Sequence, residues 1–380
     1  MPTRNVYLDY AAASPLDPEV LVAMQPYFSE SFYNPSAGYL AAKNVKATIE
    51  TSRQQVAEVI GAKANEIIFT AGGTEANNLA IAGIMRNYPK ANLVISAIEH
   101  PSITEPAKNF KHKVCPVDNQ GLIKLADLEK LIDDSTALVS IMYVNNEIGT
   151  VEPLKEVASL VNKIKKDRLE RGNRLPIYLH SDACQAANYL DLHISRLGVD
   201  LMTLNGGKIY GPKQSGALFA KSSAVLKPLI EGGGQERGLR SGTENVAAVV
   251  GFAHALQLAQ NNRKLSSEKL AKLQGYFVSK LSELPGVTIN GTLSKRVVNN
   301  VHVTFSGVDN EWLLIKLDNE GIMAAAGSAC SASSVEPSSV LRAIGLPGKA
   351  AQSSVRFSLG RQTKQADLDY TVNILKKLIG

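Results

Sequence analysis

Cysteine is scarce in this sequence, with three residues in a chain of 380. A small, odd number of cysteines cannot build a disulfide framework at this length, and it indicates reduced thiols. No apolar run approaches the roughly 20 residues that a membrane-spanning helix requires. The first residues, up to Tyr7, also lack the apolar core of a signal peptide. These absences argue against a disulfide-stapled secreted protein or a membrane protein, and we expect a cytoplasmic location.

Concentrated charge is also missing. The formal net charge of +6 is spread along the chain, and the densest basic stretch, residues 163–174, contains no interleaved aromatic side chains. Such a stretch is typical of a solvated helix end and does not favour direct nucleic-acid binding.

Four histidines have no cysteine or carboxylate at the spacing of a metal site, and we expect them to be structural. These are His180, His193, His254 and His302.

Short apolar runs alternate with amphipathic stretches between about residues 65 and 221. They predict buried strands at 66–70, 93–97, 137–144, 177–180, 200–204 and 217–220. Helical patterns at 75–88 and 154–171 lie between them. This alternation predicts an α/β fold with a mostly parallel sheet flanked by helices. Ligands of such sheets bind where strands end and helices begin.

The length of the chain suggests two domains. One long helical stretch is predicted at about 245–284, followed by strands at 298–305, 322–325 and 355–359 and helices at 311–320 and 365–378. We therefore expect a large domain at 16–262 and a smaller α+β domain at 263–380. The N-terminal segment, 1–15, has too little apolar surface to fold alone and is expected to pack with the small domain.

A glycine turn follows the first of these strands, in Thr70-Ala71-Gly72-Gly73-Thr74-Glu75. Glycines allow close approach of a ligand to the backbone, and Thr74 stands where a helix N-cap hydroxyl belongs. Free N–H groups and the helix dipole favour a phosphate at such a position. An ordinary strand-to-helix turn would use the same residue types, so both interpretations stay open.

Two further segments place chemistry at strand ends. Lys208 follows a buried strand, in the segment Asn205-Gly206-Gly207-Lys208-Ile209-Tyr210-Gly211-Pro212. Either its amine forms a Schiff base, or its side chain points to solvent from a loop. Asp182 ends the strand Tyr178-Leu179-His180-Ser181, and it either pairs with a cation such as a protonated pyridine or caps the next helix. Cys184 is expected to fill core space.

Taken together, these segments resemble the class V aminotransferase family, and more narrowly the cysteine desulfurases of the NifS and IscS type. The resemblance runs in order along essentially the whole chain. Besides the segments above, it is carried by Tyr7-Leu8-Asp9-Tyr10-Ala11-Ala12, Asn34-Pro35-Ser36, Glu99-His100, Val144-Asn145-Asn146-Glu147-Ile148-Gly149, Arg237-Gly238-Leu239-Arg240-Ser241-Gly242-Thr243, Gly327-Ser328-Ala329-Cys330 and Arg356-Phe357-Ser358-Leu359-Gly360.

The resemblance implies a fold type I enzyme that binds pyridoxal 5'-phosphate (PLP) as a homodimer. Lys208 would form the Schiff base, Asp182 would pair with the pyridine nitrogen, and His100 would lie over the ring and shuttle protons. The remaining cofactor contacts implied are Asn146 and Gln185 at the phenolic oxygen, and Gly73, Thr74, Asn205, Gly207 and, from the other subunit, Thr243 around the phosphate.

The same resemblance implies L-cysteine as the substrate and alanine as the product. Arg356 would clamp the substrate carboxylate, with Asn34 and Asn146 beside it. Cys330 lies in a small, polar stretch of a composition suited to a mobile loop, where an exposed thiolate can act as a nucleophile. It would receive sulfur as a persulfide and pass it to an acceptor for iron–sulfur cluster assembly or tRNA thiolation. It could also ligate a scaffold-bound cluster transiently.

Two departures from the family pattern bear on this expectation. The usual Ser-Gly-His before the lysine is replaced by Asn205-Gly206-Gly207. Because a lost hydrogen bond to a charged group costs roughly 1.5–3 kcal/mol, we expect weaker PLP retention. The sequence also ends at Gly380, without the C-terminal segment that docks the scaffold in long-loop relatives, so the acceptor stays open.

Other functions remain compatible with the sequence. Another class V enzyme, such as an aminotransferase or a selenocysteine lyase, would use the same cofactor residues without needing Cys330. A non-catalytic scaffold paralogue is favoured only by the altered phosphate residues.

Overall fold

The computed structural model describes residues 4–327 and 338–379. The strands are β1 (Val6–Tyr7), β2 (Ile67–Thr70), β3 (Asn92–Ser96), β4 (His112–Cys115), β5 (Thr136–Ser140), β6 (Tyr178–Asp182), β7 (Leu201–Asn205), β8 (Gly216–Ala220), β9 (Val287–Ile289), β10 (Asn300–Phe305), β11 (Ile322–Met323) and β12 (Ser354–Ser358). The α-helices are α1 (Pro18–Met24), α2 (Pro26–Ser29), α3 (Leu40–Ile60), α4 (Gly73–Met85), α5 (Pro101–Ala107), α6 (Leu125–Leu131), α7 (Leu154–Glu170), α8 (Ile194–Leu197), α9 (Val246–Asn261), α10 (Arg263–Ser282), α11 (Asn310–Asn319), α12 (Ser339–Ala343), α13 (Gly348–Ala351) and α14 (Gln365–Ile379).

The main sheet has the strand order β2-β8-β7-β6-β5-β3-β4. Its pairs from β4 through to β7 are parallel, while β8 is antiparallel to both of its neighbours. The predicted α/β fold with a mostly parallel sheet is therefore confirmed. The predicted strand at 137–144 corresponds to β5, which ends at Ser140. Beyond it, the Ile141 and Tyr143 N–H groups still donate to the His180 and Asp182 carbonyls of β6, at 3.1 and 2.9 Å.

Helices cover both faces of this sheet, as its apolar strands require. Alternate side chains of one strand enter two separate cores: Phe69 packs with Val56 of α3 and Phe252 of α9, whereas Ile68 packs with Leu79 of α4. The carboxyl ends of the parallel strands are left uncovered by these helices, and the chain segments that leave them meet there.

The stretch predicted to be helical at 245–284 is helical almost throughout, and the structure divides it into two helices, α9 and α10. Asn245 caps α9 by accepting from the Ala248 N–H at 3.1 Å. Asn262 separates the helices with φ −89° and ψ 0°, and its side-chain amide donates to the Leu258 carbonyl. Asparagine competes with helical backbone hydrogen bonds in this way, and it commonly ends a helix.

A smaller antiparallel sheet has the order β12-β10-β9, and β1 pairs in parallel with β11. Asp9 also bridges to Ser358 at the end of β12, so the N-terminal residues join the C-terminal third of the chain. The long helix α3 was not predicted. Among the described residues, no helix is both long and apolar enough to cross a membrane.

Candidate functional site

A cleft of about 710 Å³ opens at the carboxyl ends of β3, β5, β6 and β7. This is the position at which parallel α/β sheets bind ligands. The segments that leave these strands supply most of its wall, and the smaller sheet supplies one arginine. Its lining residues are Ala11, Ala12, Gly73, Thr74, Asn77, His100, Ser102, Met142, Val144, Asn146, Asp182, Cys184, Gln185, Asn205, Lys208 and Arg356.

The N-terminus of α4 forms one wall. The helix starts at Gly73, and its N-cap is Gly72, with φ +122° and no side-chain capping bond, so the expectation that Thr74 is the N-cap was wrong. The first N–H groups of the helix are consequently left without a capping side chain. A Cβ on Gly73 would lie 2.7 Å from the Cys184 sulfur, so the backbone must be glycine here to fit.

Asn205 faces this cradle from the end of β7. Its Oδ1 accepts from the Gly207 N–H at 2.9 Å. Its Nδ2 lies 3.4 Å from the position of a Cβ on Gly73, so the amide stands beside the start of α4. Amide donors and helix N–H groups together suit a phosphate.

Lys208 extends across the cleft to the N-terminal segment. Its Nζ donates to the carbonyls of Ala11 and Ala12 at 2.9 and 2.6 Å, and the Gln185 amide donates to the same Ala11 carbonyl at 2.9 Å. The backbone of Lys208 is held by the Asn188 amide, which donates to the Lys208 carbonyl at 2.8 Å. Both ends of the lysine are thus held in place.

Asp182 is fixed by two donors. The Asn77 amide donates to its Oδ2 at 2.7 Å, and the Cys184 N–H donates to its Oδ1 at 2.9 Å. The same Asn77 amide donates to the Ser102 hydroxyl at 2.8 Å, which links α4, α5 and β6. Asn77 was not predicted from the sequence, although a polar residue one turn after Gly73 in a mostly apolar helix indicates a side chain with a buried partner.

His100 precedes α5 and caps it. The Ser102 N–H donates to the Nδ1 atom of His100 at 3.1 Å, so Nε2 carries the proton of the neutral ring. Burial lowers the pKa of His100, with the positive charge of Lys208 acting in the same direction and the Asp182 carboxylate opposing it. The imidazole is therefore neutral at pH 7, with a donor at Nε2.

Arg356 enters the cleft from β12 and is almost fully buried. One terminal nitrogen donates to the Asn146 carbonyl at 2.9 Å, and the other donates to Asp9 Oδ1 at 2.6 Å. The Nε atom of Arg356 has no hydrogen-bond partner among the described residues. A buried guanidinium with an unpaired N–H suits a carboxylate ligand.

The thiol pKa is raised in both described cysteines, Cys115, which is buried, and Cys184, which is partly buried and lines the cleft. Burial raises the pKa of the Cys184 thiol well above its usual value, with Asp182 adding to the effect. Burial likewise raises the pKa of Cys115, to about 12. Since thiolates are the nucleophilic form, neither side chain suits sulfur chemistry at neutral pH. Cys330 lies outside the described residues.

Asn34 and Thr243 are not brought into this cleft. Both line a separate cleft of about 530 Å³, beside the exposed rings of Phe28 and Phe32. Asn34 Oδ1 accepts from the Ser36 N–H at 2.9 Å and so closes a local turn. Within one chain, therefore, these two side chains are separated from Lys208 and Arg356.

Two of the remaining histidines are buried in polar networks. His180 contacts the hydroxyls of Ser140 and Thr203, and burial lowers its pKa to about 4. His302 contacts Asn290, and burial lowers its pKa to about 3. His193 contacts Ser195 near the surface. The described part of the chain contains no group of three side chains that could hold a metal ion.

The donor set of the cleft suits PLP. Glycine is required at position 73, the α4 N-terminus is uncapped, and the Asn205 amide stands beside it, which together suit the phosphate. An amine, a carboxylate and an imidazole line the same space at Lys208, Asp182 and His100. A buried carboxylate opposite a pyridine nitrogen keeps that nitrogen protonated.

Residues 6–371 match the family described as aminotransferase class V. A curated relative named cysteine desulfurase IscS, from Dictyoglomus turgidum, is 41% identical over 384 residues, covering 99% of this chain and 95% of the relative.

Solved structures are similar over the same length. One described as a NifS-like protein has a TM-score of 0.90 and 31% identity, with 99% of each chain covered. Another, described as SspA in complex with cysteine, has a TM-score of 0.80 and 33% identity, covering 93% of this chain and 99% of that one.

Proposed function

We propose that this chain, which belongs to the aminotransferase class V family, is a PLP-dependent cysteine desulfurase that transfers sulfur from L-cysteine to Cys330. Full-length similarity to a curated cysteine desulfurase at 41% identity supports the activity. A related structure described as bound to cysteine supports the substrate. The observation that carries the proposal is the gathering of Lys208, Asp182 and His100 with Arg356 in one cleft.

The cofactor would be held from three sides. Gly73, Thr74, Asn205 and Gly207 would receive the phosphate, and Asp182 would accept from the pyridine nitrogen. Asn146 and Gln185 would stand near its phenolic oxygen, and Lys208 would supply the amine that binds it. When bound, PLP supplies the electron sink that allows bonds at the α-carbon of the amino acid to break.

The residues of the chain would then orient the substrate and move protons. Arg356, which lines the cleft, would receive the substrate carboxylate, with Asn146 next to it. The neutral His100 ring would offer its Nε2 proton to the cleft. The free Lys208 amine would be held by the carbonyls of Ala11 and Ala12, and from this position it would give or take a proton.

Cys330 would carry the sulfur. Its thiolate would attack the substrate sulfur, so that an S–S bond forms as the Cβ–S bond of cysteine breaks. The electron pair of the broken bond would stay with the carbon skeleton, which would take up a proton at Cβ and leave as alanine. Ala325, five residues before Cys330, pairs with Arg356 through both of its backbone groups. Five residues span at most about 18 Å. Cys330 is therefore no more than about that distance along the chain from Ala325, the residue that pairs with Arg356.

Several wider features belong to the same proposal. A homodimer would let Thr243 and Asn34 serve the cleft of the other subunit, and the persulfide would pass to an acceptor for iron–sulfur cluster assembly or tRNA thiolation. We place the enzyme in the cytoplasm. The break at Asn262 supports a boundary between a large domain at 16–262 and a small one at 263–380. The pairing of β1 with β11 supports packing of the N-terminal segment, 1–15, with the small domain, although Ala11 and Ala12 also bond to Lys208 of the large one.

The decisive experiment measures alanine and sulfide from L-cysteine and dithiothreitol, using purified PLP-loaded protein. Wild type is expected to form both products, and alkylation followed by mass spectrometry is expected to find a persulfide on Cys330. Cys330→Ala is expected to lose at least about a hundredfold in rate, the scale expected when a covalent nucleophile is removed. Cys115→Ala is the matched control, because that thiol is buried in β4 away from the cleft.

Equal activity in the Cys330→Ala and Cys115→Ala variants would contradict the role of Cys330. Transamination in place of sulfide release would instead identify a different class V reaction.

A further inference from the structure

Glu147 is a buried carboxylate that the chemistry above does not use. It follows Asn146 in the segment after β5, and it is 5% exposed. Its Oε2 accepts from the Ser338 hydroxyl at 2.5 Å. Ser338 is the first described residue after the stretch 328–337, here called the cysteine stretch because it contains Cys330. One flank of this stretch is therefore bonded to Glu147.

The other flank meets the same atom. Gly327 is the last described residue before the cysteine stretch, and a Cβ built on it would lie 3.3 Å from Glu147 Oε2. A glycine at this position thus packs closely against the carboxylate. One flank of the cysteine stretch is therefore hydrogen-bonded to this carboxylate oxygen, and the backbone of the other flank lies close to it.

Glu147 is also tied to the substrate arginine. The carbonyl of the preceding residue, Asn146, accepts from Arg356 at 2.9 Å, and the Glu147 carbonyl accepts from the Asn300 amide at 2.8 Å. Asn300 lies in β10, which pairs with the strand of Arg356. The backbone that carries the Glu147 carboxylate is consequently hydrogen-bonded to the arginine and to the smaller sheet.

The later flank is held by packing as well. Val340 and Leu341 of α12 lie in a hydrophobic cluster with Ile98, Met142 and Ile148. Ile98 stands two residues before His100, and Ile148 follows Glu147. This cluster is separate from the two cores that cover the main sheet. It gives the contact with Glu147 an apolar surround, in which a hydrogen bond to a carboxylate is strengthened.

We propose that Glu147 is a positioning residue that joins both flanks of the cysteine stretch to the Arg356 side of the cleft. The proposal rests on the proposed role of Cys330. Anchoring both ends of a segment reduces the volume its residues can search, which raises the effective concentration of a reactive group near its target. Loss of the side-chain acceptor oxygen at position 147 lowers the rate of sulfur transfer while leaving the binding of cysteine intact.

Three variants separate this role from others. Glu147→Ala removes the contact with both flanks, Ser338→Ala removes the contact with one flank, and Glu147→Gln keeps an acceptor oxygen of the same shape. Each is prepared loaded with PLP, and its unfolding temperature is checked against wild type. Ser338→Ala deletes a single hydroxyl, which also caps α12 by accepting from the Leu341 N–H at 3.3 Å. Its exchange is therefore judged together with that of Glu147→Ala, which leaves the cap in place.

The first measurement is hydrogen exchange at peptides that cover residues 322–327 and 338–344. Exchange is expected to rise in both peptides for Glu147→Ala, and only in the second for Ser338→Ala. Glu147→Gln is expected to match wild type in both. Unchanged exchange in both peptides of Glu147→Ala overturns the proposal, whether or not the protein releases sulfide.

The second measurement is steady-state and single-turnover kinetics with L-cysteine. For Glu147→Ala, the rate of persulfide formation on Cys330 is expected to fall about tenfold with KM changed by less than about threefold, and Glu147→Gln should restore most of the rate. A rise in KM with an unchanged rate constant would show instead that Glu147 acts in substrate binding. Absence of persulfide in wild type would contradict the proposed function. The hydrogen-exchange measurement would still test whether Glu147 holds the two flanks of the cysteine stretch.

Discussion

Asp9 and Arg356 form a buried ion pair, with an N···O distance of 2.6 Å and only 1% of the arginine side chain exposed. The two residues are 347 positions apart in the chain. The guanidinium that we assign to the substrate carboxylate is thus already bound to a carboxylate of its own protein. Asp9 both orients Arg356 and competes electrostatically with the substrate for its charge.

Two substitutions at Asp9 are expected to have opposite effects on KM for cysteine. Asp9→Asn keeps an acceptor while removing the competing charge, so KM should fall by roughly threefold. Asp9→Ala leaves a guanidinium nitrogen unpaired and free to turn, so KM should rise by about tenfold. Steady-state kinetics at fixed PLP saturation measure both. Identical shifts in the two variants would show that Asp9 does not compete with the substrate.

The phosphate cradle gives a prediction about cofactor affinity. Gly207→His restores the residue usual in the family, and a Cβ there would lie 3.2 Å from the flexible Lys213 side chain, which can move. A regained hydrogen bond to a phosphate should tighten PLP binding by about tenfold or more. Asn205→Ala should weaken it by a similar factor. Titration of the apo protein, followed by cofactor absorbance, measures the dissociation constants.

Stoichiometric, tight binding of PLP by the wild-type apo protein, with no gain in Gly207→His, would contradict this account. It would mean that the helix N–H groups and the Asn205 amide are sufficient by themselves.

Glu152 should make stability depend on pH. Burial raises the pKa of its carboxyl group to about 8 from an ordinary 4.5, so it is protonated in the folded protein at pH 7. Between those two values the unfolded chain releases a proton that the folded chain keeps. Stability attributable to Glu152 is therefore present at low pH and is lost as the pH rises from about 4.5 to 8.

Glu152→Gln should remove this dependence, because the amide oxygen can still accept from the Ile123 N–H. The variant is expected to gain in unfolding temperature relative to wild type as the pH increases from 5 to 8. Thermal unfolding of the PLP-loaded proteins at several pH values measures this difference. A difference that stays constant over the range would contradict the raised pKa.

The exposed aromatic surface gives a prediction about assembly. Phe28 and Phe32 are 63% and 66% exposed beside the cleft that holds Asn34 and Thr243. Apolar surface of this kind commonly marks an interface. Phe32→Asp should convert a dimer into a monomer in light scattering and weaken PLP binding. Leu265→Asp, at an equally exposed leucine of α10, is the control and should stay dimeric.

A wild-type protein that is monomeric at working concentration and still binds PLP tightly would rule out the contribution of a second subunit.

The sequence by itself determined the class of fold, most of the strands of the main sheet and most of the residues that line the cleft, whereas the strands β1, β4 and β9 were not predicted. Buried parallel strands are continuous apolar runs, and the polar residues that end them, such as Asp182 and Lys208, must meet at one edge of the sheet. Such information is local, so it can be read without knowing which strands are neighbours. The resemblance to known enzymes then supplied the expected roles.

Only the tertiary structure decided which side chains hold these residues in place. Asn77 bonds Asp182 across 105 positions, Asp9 bonds Arg356 across 347, and Glu147 receives Ser338 across 191. Each contact depends on strand order and on how the smaller sheet packs, which no local pattern encodes. At Asn262 the local pattern was incomplete: the helical periodicity of the sequence continues through this position, but the structure ends one helix there and begins another. Long-range partners are set by packing, and packing is a property of the whole chain.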